Sequence, residues 1–370
     1  MAVASARPAD APASTGDPPP DRAAARAAAR SRQALVLVGL AVVLVCAAVL
    51  AVALGSTVIP VRTTIAALPW VGDTLAGWPV IGGGVPDEAD RQIIESLRVP
   101  RMVTAVVVGA SLGVAGALLQ GALANPLASP DVIGVTAGSG FGAMIILLAF
   151  PNAVTLVPLS ALAFGLLAAG LVFAVAWMGR GGGSILRLIL AGIAIGAVFT
   201  AATTGLMTAF PDRVSTAIFF IAGNLNEDGW SVLRQVWYYP VAGLVLAAFL
   251  IRPLDRLALG DDVAQSLGVR PRAIRLAAAA IAALLAAAAA SLAGLLGFLG
   301  LVVPHAIRLA SGTSSHRFVV PASALGGAAL LLVADIISRR VAAPLALPVG
   351  PFMVLLGVPL FLWLLRRASA

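Results

Sequence analysis

The chain has 370 residues, 60% of them hydrophobic and only 11% charged, with a net charge of +8. A soluble domain of this length carries about a quarter of its residues as charges, so the deficit makes lipid the main solvent. Every one of the 24 basic residues is Arg, which excludes a P-loop ATPase, because that loop needs a Lys to reach the β and γ phosphates.

Residues 1–33 are rich in Ala, Pro and Arg without apolar periodicity, which predicts a disordered N-terminal tail. The rest, 34–370, reads as one transmembrane domain. Arg30 and Arg32 before an apolar run imitate a secretory signal, but the run covers 34–54 after a long polar leader, so a retained first span is expected. Further apolar runs predict spans at 102–120, 134–150, 154–178, 185–209, 236–252, 273–292, 295–309, 319–338 and 348–365. Each crossing of about 30 Å needs roughly 20 residues. The stretch 276–307 is too long for one crossing and short for two. Arginines at 252, 256, 270, 272 and 275 precede it, and Arg366 and Arg367 follow the last span. Under the positive-inside rule both groups are cytoplasmic, so parity requires two crossings with a break near Gly294 or Gly297. The fold class is therefore all-α and polytopic, with about ten spans and both termini cytoplasmic. The uncharged stretch 214–226 is too short to span and reads as a re-entrant or interfacial helix ended by Gly223-Asn224.

Glycines recur at four-residue spacing at 109 and 113, at 134, 138 and 142, and at 192 and 196. In a bilayer such spacing lets helix backbones approach closely. The run Gly138-Ser139-Gly140-Phe141-Gly142 lacks the preceding strand of a dinucleotide loop, and helix packing explains it better.

Three polar places are not explained by lipid. Arg98-Val99-Pro100-Arg101 sets two cations at the outer start of the second span, against both the helix dipole and the charge bias. An anionic partner, lipid phosphates or pairing with Glu95 would each account for them. Asn125-Pro126-Leu127-Ala128-Ser129-Pro130-Asp131 is an extended turn between the second and third spans, at their cytoplasmic end. Gly260 to Gly268 encloses a short amphipathic helix, with Asp261 as its cap, Gly268 just past its end, and Leu259, Val263 and Leu267 forming an apolar stripe. It could equally be a loop helix resting on headgroups.

Together these segments resemble the FecCD-type permeases, the membrane subunits of ABC importers for iron-siderophores, haem and cobalamin. The resemblance covers about 90–370 and rests on RVPR at 98–101, GALLQGALANPLASPDVIGV at 116–135, GDDVAQSLG at 260–268, GFLGLVVPHAIRL at 297–309 and ADIISRR at 334–340. It implies ten spans in a bacterial plasma membrane. Two permease chains, as a homodimer or with a paralogue, would enclose the pathway. ATPase subunits that bind the ATP would dock below, and an extracytoplasmic solute-binding protein above. By the same resemblance Arg98, Arg101 and Arg339 receive acidic residues of the binding protein, with an internal Asp335–Arg339 pair as the competing reading of Arg339. The helix at 261–267, with Gly260, Asp261, Ala264, Leu267 and Gly268, couples to the ATPase. Asn125 and Leu127 form one gate loop, and Ser184, Ile185 and Leu186 a second. The implied pathway is largely apolar and its cargo an iron-siderophore, with cobalamin or haem as alternatives. An ion-coupled secondary transporter would bury ionisable groups near the midplane, and the one carboxylate within a predicted span is Asp335, near the span end. His305 and His316 are eleven apart without a Cys between them, and Cys46 is the single cysteine. No metal, cofactor, catalytic or nucleic-acid site is expected.

Overall fold

The computed structural model describes residues 22–55, 59–60, 63–64, 87–177, 185–225, 229–343 and 345–368. Among them every regular element is helical: α1 (Arg22–Ala53), α2 (Glu88–Ala122), α3 (Val135–Ala149), α4 (Val157–Trp177), α5 (Ile185–Ala209), α6 (Val214–Ala222), α7 (Trp230–Val236), α8 (Tyr238–Leu257), α9 (Asp261–Ser266), α10 (Pro271–Ala293), α11 (Leu299–Ser311), α12 (His316–Val341) and α13 (Val349–Ala368). Six helices are long and apolar enough to cross a bilayer, and α7 with α8, bent by 48°, makes a seventh. With the shorter apolar α3, α11 and α13, the described residues form ten crossing segments.

One expectation changes at the start of the chain. α1 begins at Arg22, so residues 22–33 are helical although 1–33 reads as unstructured. Ala and Arg are among the best helix formers, and the apolar continuation to Ala53 supplies the length over which a helix propagates.

The core sits on α2, α10 and α12. In their most apolar stretches 78%, 72% and 61% of residues are buried, against 17% for α1 and 22% for α5. Glycine explains the tight centre. A Cβ on Gly109 would lie 2.4 Å from the Gly327 carbonyl oxygen, one on Gly113 2.1 Å from that of Ser323, and one on Gly116 1.8 Å from that of Gly300. These approaches allow only hydrogen, so α2 lies backbone against backbone on α11 and α12. Gly138, Gly142 and Gly192 make equally close approaches to Phe164, Ser160 and Val132, while Gly196 has room around it.

The expected break falls at Gly294. α10 ends at Ala293, Gly294 (φ 68°) and Phe298 (φ 67°) turn the chain, and α11 resumes at Leu299. A broken span exposes amides that lipid cannot satisfy. The short helix α6 meets this need: Leu295 N donates to Phe220 O at 3.1 Å, and Gly350 N donates to Gly223 O at 3.0 Å. α6 is therefore a seat for two other segments, and it ends at Gly223 (φ 73°) as its sequence suggests.

Candidate functional site

At one end of the bundle the RVPR arginines turn inward. Arg101 donates through Nε and Nη2 to Asp335 Oδ1 at 3.0 and 2.9 Å, and Arg339 Nη2 lies 2.9 Å from Asp335 Oδ2. Arg98 Nη1 donates to the Val52 and Ala53 carbonyls, and Arg339 Nη2 to that of Ala51. These are the last carbonyls of α1, which its own helix leaves unsatisfied. Arg98, Arg101 and Arg339 are 6%, 4% and 7% exposed. Thus Arg101 and Arg339 share one buried carboxylate, while Arg98 and Arg339 cap the first span. Glu95 is approached by Arg91, at 3.9 Å.

At the opposite end α9 is presented to solvent. Gly260 (φ 100°) is its N-cap residue and Leu267 its C-cap, with Gly268 (φ 77°) just beyond. Asp261 is thus the first helical residue and not the cap. Its carboxylate is taken by Arg275, which donates from Nη1 and Nη2 at 2.9 and 2.8 Å, in the two-pronged geometry that matches guanidinium to carboxylate. The hydrogen bond from Arg275 holds the Asp261 carboxyl below its ordinary range. Arg275 Nε donates in addition to Ala122 O at 3.1 Å. One side chain therefore ties α9 to the last residue of α2, three before Asn125. Ala264 packs inward, while Leu259, Val263 and Leu267 are 60%, 46% and 49% exposed.

The two loops expected to form gates are placed unequally. Asn125 Oδ1 accepts from Leu127 N at 2.9 Å, closing a local turn, and the Leu127 side chain is exposed. Asn125 lines a cavity of about 360 Å³ with Asp261, Arg275, Arg308 and His316, so the Asn125 loop and α9 share one space. Arg308 donates to Gln120 Oε1 at its wall. In the second loop, Ser184 lies outside the described residues, Ile185 begins α5, and Leu186 is exposed.

The turn after Asn125 does not stay at the bundle end. A Cβ on Gly300 would lie 2.9 Å from Pro130 Cδ and 3.1 Å from Leu112 O, which sets Pro130 beside the middle of α2. Gly300 is eleven residues from the α9 end of α11, or roughly 16 Å at 1.5 Å per residue. The turn Pro130–Ile133 is therefore near mid-depth of the bilayer, and α3 starts from there. Asp131 within it is exposed, and its carboxylate accepts from Thr136 Oγ1 at 2.6 Å and Ser129 Oγ at 3.4 Å.

The sequence model of the FecCD transport family matches residues 42–367. The chain belongs to that family. It is 37% identical over 292 residues to the iron(3+)-hydroxamate import system permease protein FhuB of Bacillus subtilis, covering 78% of this chain and 75% of the relative. It is likewise 37% identical over 276 residues to the Fe(3+) dicitrate transport system permease protein FecD of Escherichia coli, covering 74% and 85%. A chain of a metal-chelate type ABC transporter, solved in an inward-facing conformation, superposes with a TM-score of 0.77 at 27% identity, covering 90% of this chain and 99% of that one.

The RVPR, GDDVAQSLG and ADIISRR motifs by which this FecCD chain was legible occupy the two ends of the bundle. What sequence reasoning missed lies between them. Asp131 counts as a loop residue when spans are read from hydropathy, yet the loop folds back into the bilayer, so a carboxylate besides Asp335 lies at membrane depth. Two signals pointed there: prolines at 126 and 130 that keep the segment extended, and a third span too short to cross alone. Among the described residues no group of three His, Cys, Asp or Glu is arranged to hold a metal ion.

Proposed function

We propose that this FecCD chain is the transmembrane permease subunit of a binding-protein-dependent ABC importer whose cargo is an iron-siderophore chelate. The observation that carries the proposal is Arg275, which holds Asp261 of α9 and the Ala122 carbonyl together. A short helix with an outward apolar stripe suits a groove on a partner. Held to the end of α2, it moves the gate loop when the partner moves it. On this reading α9 is cytoplasmic and meets the ATPase, which binds the ATP, while the permease carries no cofactor of its own. The chain sits in a bacterial plasma membrane with both termini cytoplasmic, and a second permease copy or paralogue completes the pathway.

The Arg98 end then faces outward and receives the solute-binding protein. Burial of Arg98, Arg101 and Arg339 favours docking through the field of a concentrated cationic cluster, which acts on association rate and is screened by salt. The iron-siderophore assignment draws on the hydroxamate and dicitrate relatives.

The test is uptake of a ferric chelate into proteoliposomes holding the permease with its ATPase and binding protein. Arg275→Ala should leave the ATPase bound, through Val263 and Leu267, and lower uptake per ATP hydrolysed at least tenfold. Unchanged coupling in that variant would remove α9 from the transmission path.

A further inference from the structure

The arginines at 252 and 256 serve the sequence reading only as topology markers, yet the structure gathers them into one feature. With Arg317 they line a groove of about 660 Å³ between the ends of α8 and α12, together with Phe249 and Pro253. All three arginines are exposed, Arg317 by 70%. Among the described residues no carboxylate is in the groove lining. Asp255 lies beneath it, accepting from His316 N at 2.5 Å and Ser315 Oγ at 3.2 Å, beside His316 Nδ1 at 3.0 Å and with Arg317 Nε at 3.8 Å. Ser315 and His316 hydrogen-bond this carboxylate, and its single charge against three arginines leaves the groove a positive excess.

The same face of α8 continues toward the bilayer centre as Val241, Val245 and Phe249, exposed by 42%, 54% and 74%. Positions 241, 245, 249, 252 and 256 follow at helical spacing, so one stripe runs from apolar to basic. Its length is about 22 Å at 1.5 Å per residue, comparable to one leaflet of a bilayer. We infer that this groove is a binding site for an anionic phospholipid of the leaflet at the α9 end, with Arg252, Arg256 and Arg317 on the headgroup phosphate and Val241, Val245 and Phe249 along an acyl chain. Guanidinium forks pair with phosphate oxygens in two-pronged fashion, and basic recesses between helix ends hold acidic headgroups. A free phosphate would use only the basic half. The apolar half distinguishes a lipid, and Phe249 is the residue that marks it.

The experiment needs the purified full chain alone, so its outcome is independent of whether the ATPase and binding-protein reading holds. Phe249→Trp places a reporter in the groove, and brominated phosphatidylglycerol is compared with brominated phosphatidylcholine as quencher in nanodiscs. The phosphatidylglycerol should quench the added emission at least tenfold more effectively per mole, and millimolar inorganic phosphate should not reverse it. Adding Arg252→Gln, Arg256→Gln and Arg317→Gln should abolish the preference, while Arg366→Gln should leave it intact. Equal quenching by the two lipids would overturn the site, as would a preference surviving the triple change. Reversal by inorganic phosphate would make it an anion site without the lipid. Should the triple variant fail to fold, the single Arg317→Gln, on a side chain 70% exposed, must still weaken the preference severalfold.

Discussion

The two ends of this bundle hold arginine against aspartate in opposite ways. Around Asp335 the carboxylate is 1% exposed and the pairing reaches from α2 to α12, across 234 residues of sequence. Around Asp261 the carboxylate is 46% exposed and its Arg275 partner is fourteen residues away. The first cluster is inside the fold, where separating the charges leaves them unsolvated. The second is at the surface, where water takes the place of either partner. The same pair of side chains is thus a structural lock at one end and an adjustable tether at the other.

The sharpest way to break this contrast is Asp335→Ala. It strands Arg101 and Arg339 in a buried site and should cost about 3–5 kcal/mol, seen as a large fall in melting temperature of the detergent-purified chain and loss of monodisperse protein. An unchanged melting temperature would mean that the cluster is hydrated and that the two ends are alike. Arg98→Ala should come next, at about 1.5–3 kcal/mol, because the α1 carbonyls lose charged donors. Faster amide exchange near Val52 and Ala53, without change around α9, would locate that loss.

At the other end effects on stability should be small and effects on partners large. Leu267→Asp alters an exposed side chain and should shift unfolding by no more than about 0.5 kcal/mol, while ATPase co-purification falls. A variant that melts early would place Leu267 in the fold and not on a docking face. The smallest effect concerns pH. Asp261 ionises below its usual value of 3.8 because of Arg275, so the tether is fully present above that value and is lost as pH falls through the lowered one. Amide exchange in α9, corrected for its intrinsic pH dependence, should be flat between pH 7 and 5 and rise below about 4. Arg275→Gln should remove this step, and a step surviving in the variant would assign it to another group.

The contrast also explains what could be read from the sequence. Span positions, the break at Gly294 and the stripe on α9 follow from local patterns of composition and spacing, and all are where the sequence puts them. Of the internal pairs, Asp335–Arg339 was visible because it lies within one helical turn. Arg101–Asp335 was not, since nothing local marks two residues far apart as neighbours. Asp261 was misread as a cap because its local preference for that position is real, but a guanidinium from α10 competes for the same oxygens. Asp131 was hidden by a rule that equates polar turns with bundle ends, and the helical start of α1 by a composition that suits both disorder and helix.

The glycine contacts along α2 carry a mechanical consequence. With carbonyl oxygens of α11 and α12 standing close to where Cβ atoms would be, at Gly109, Gly113 and Gly116, the three backbones are in direct contact. Such contacts favour movement of the three helices as one strut, and under the proposed coupling a push arriving through Arg275 at the foot of α2 would be carried toward its head. There the strut ends in Arg98 and Arg101, so the lever arm that joins the two ends of the protein is built from the absence of side chains.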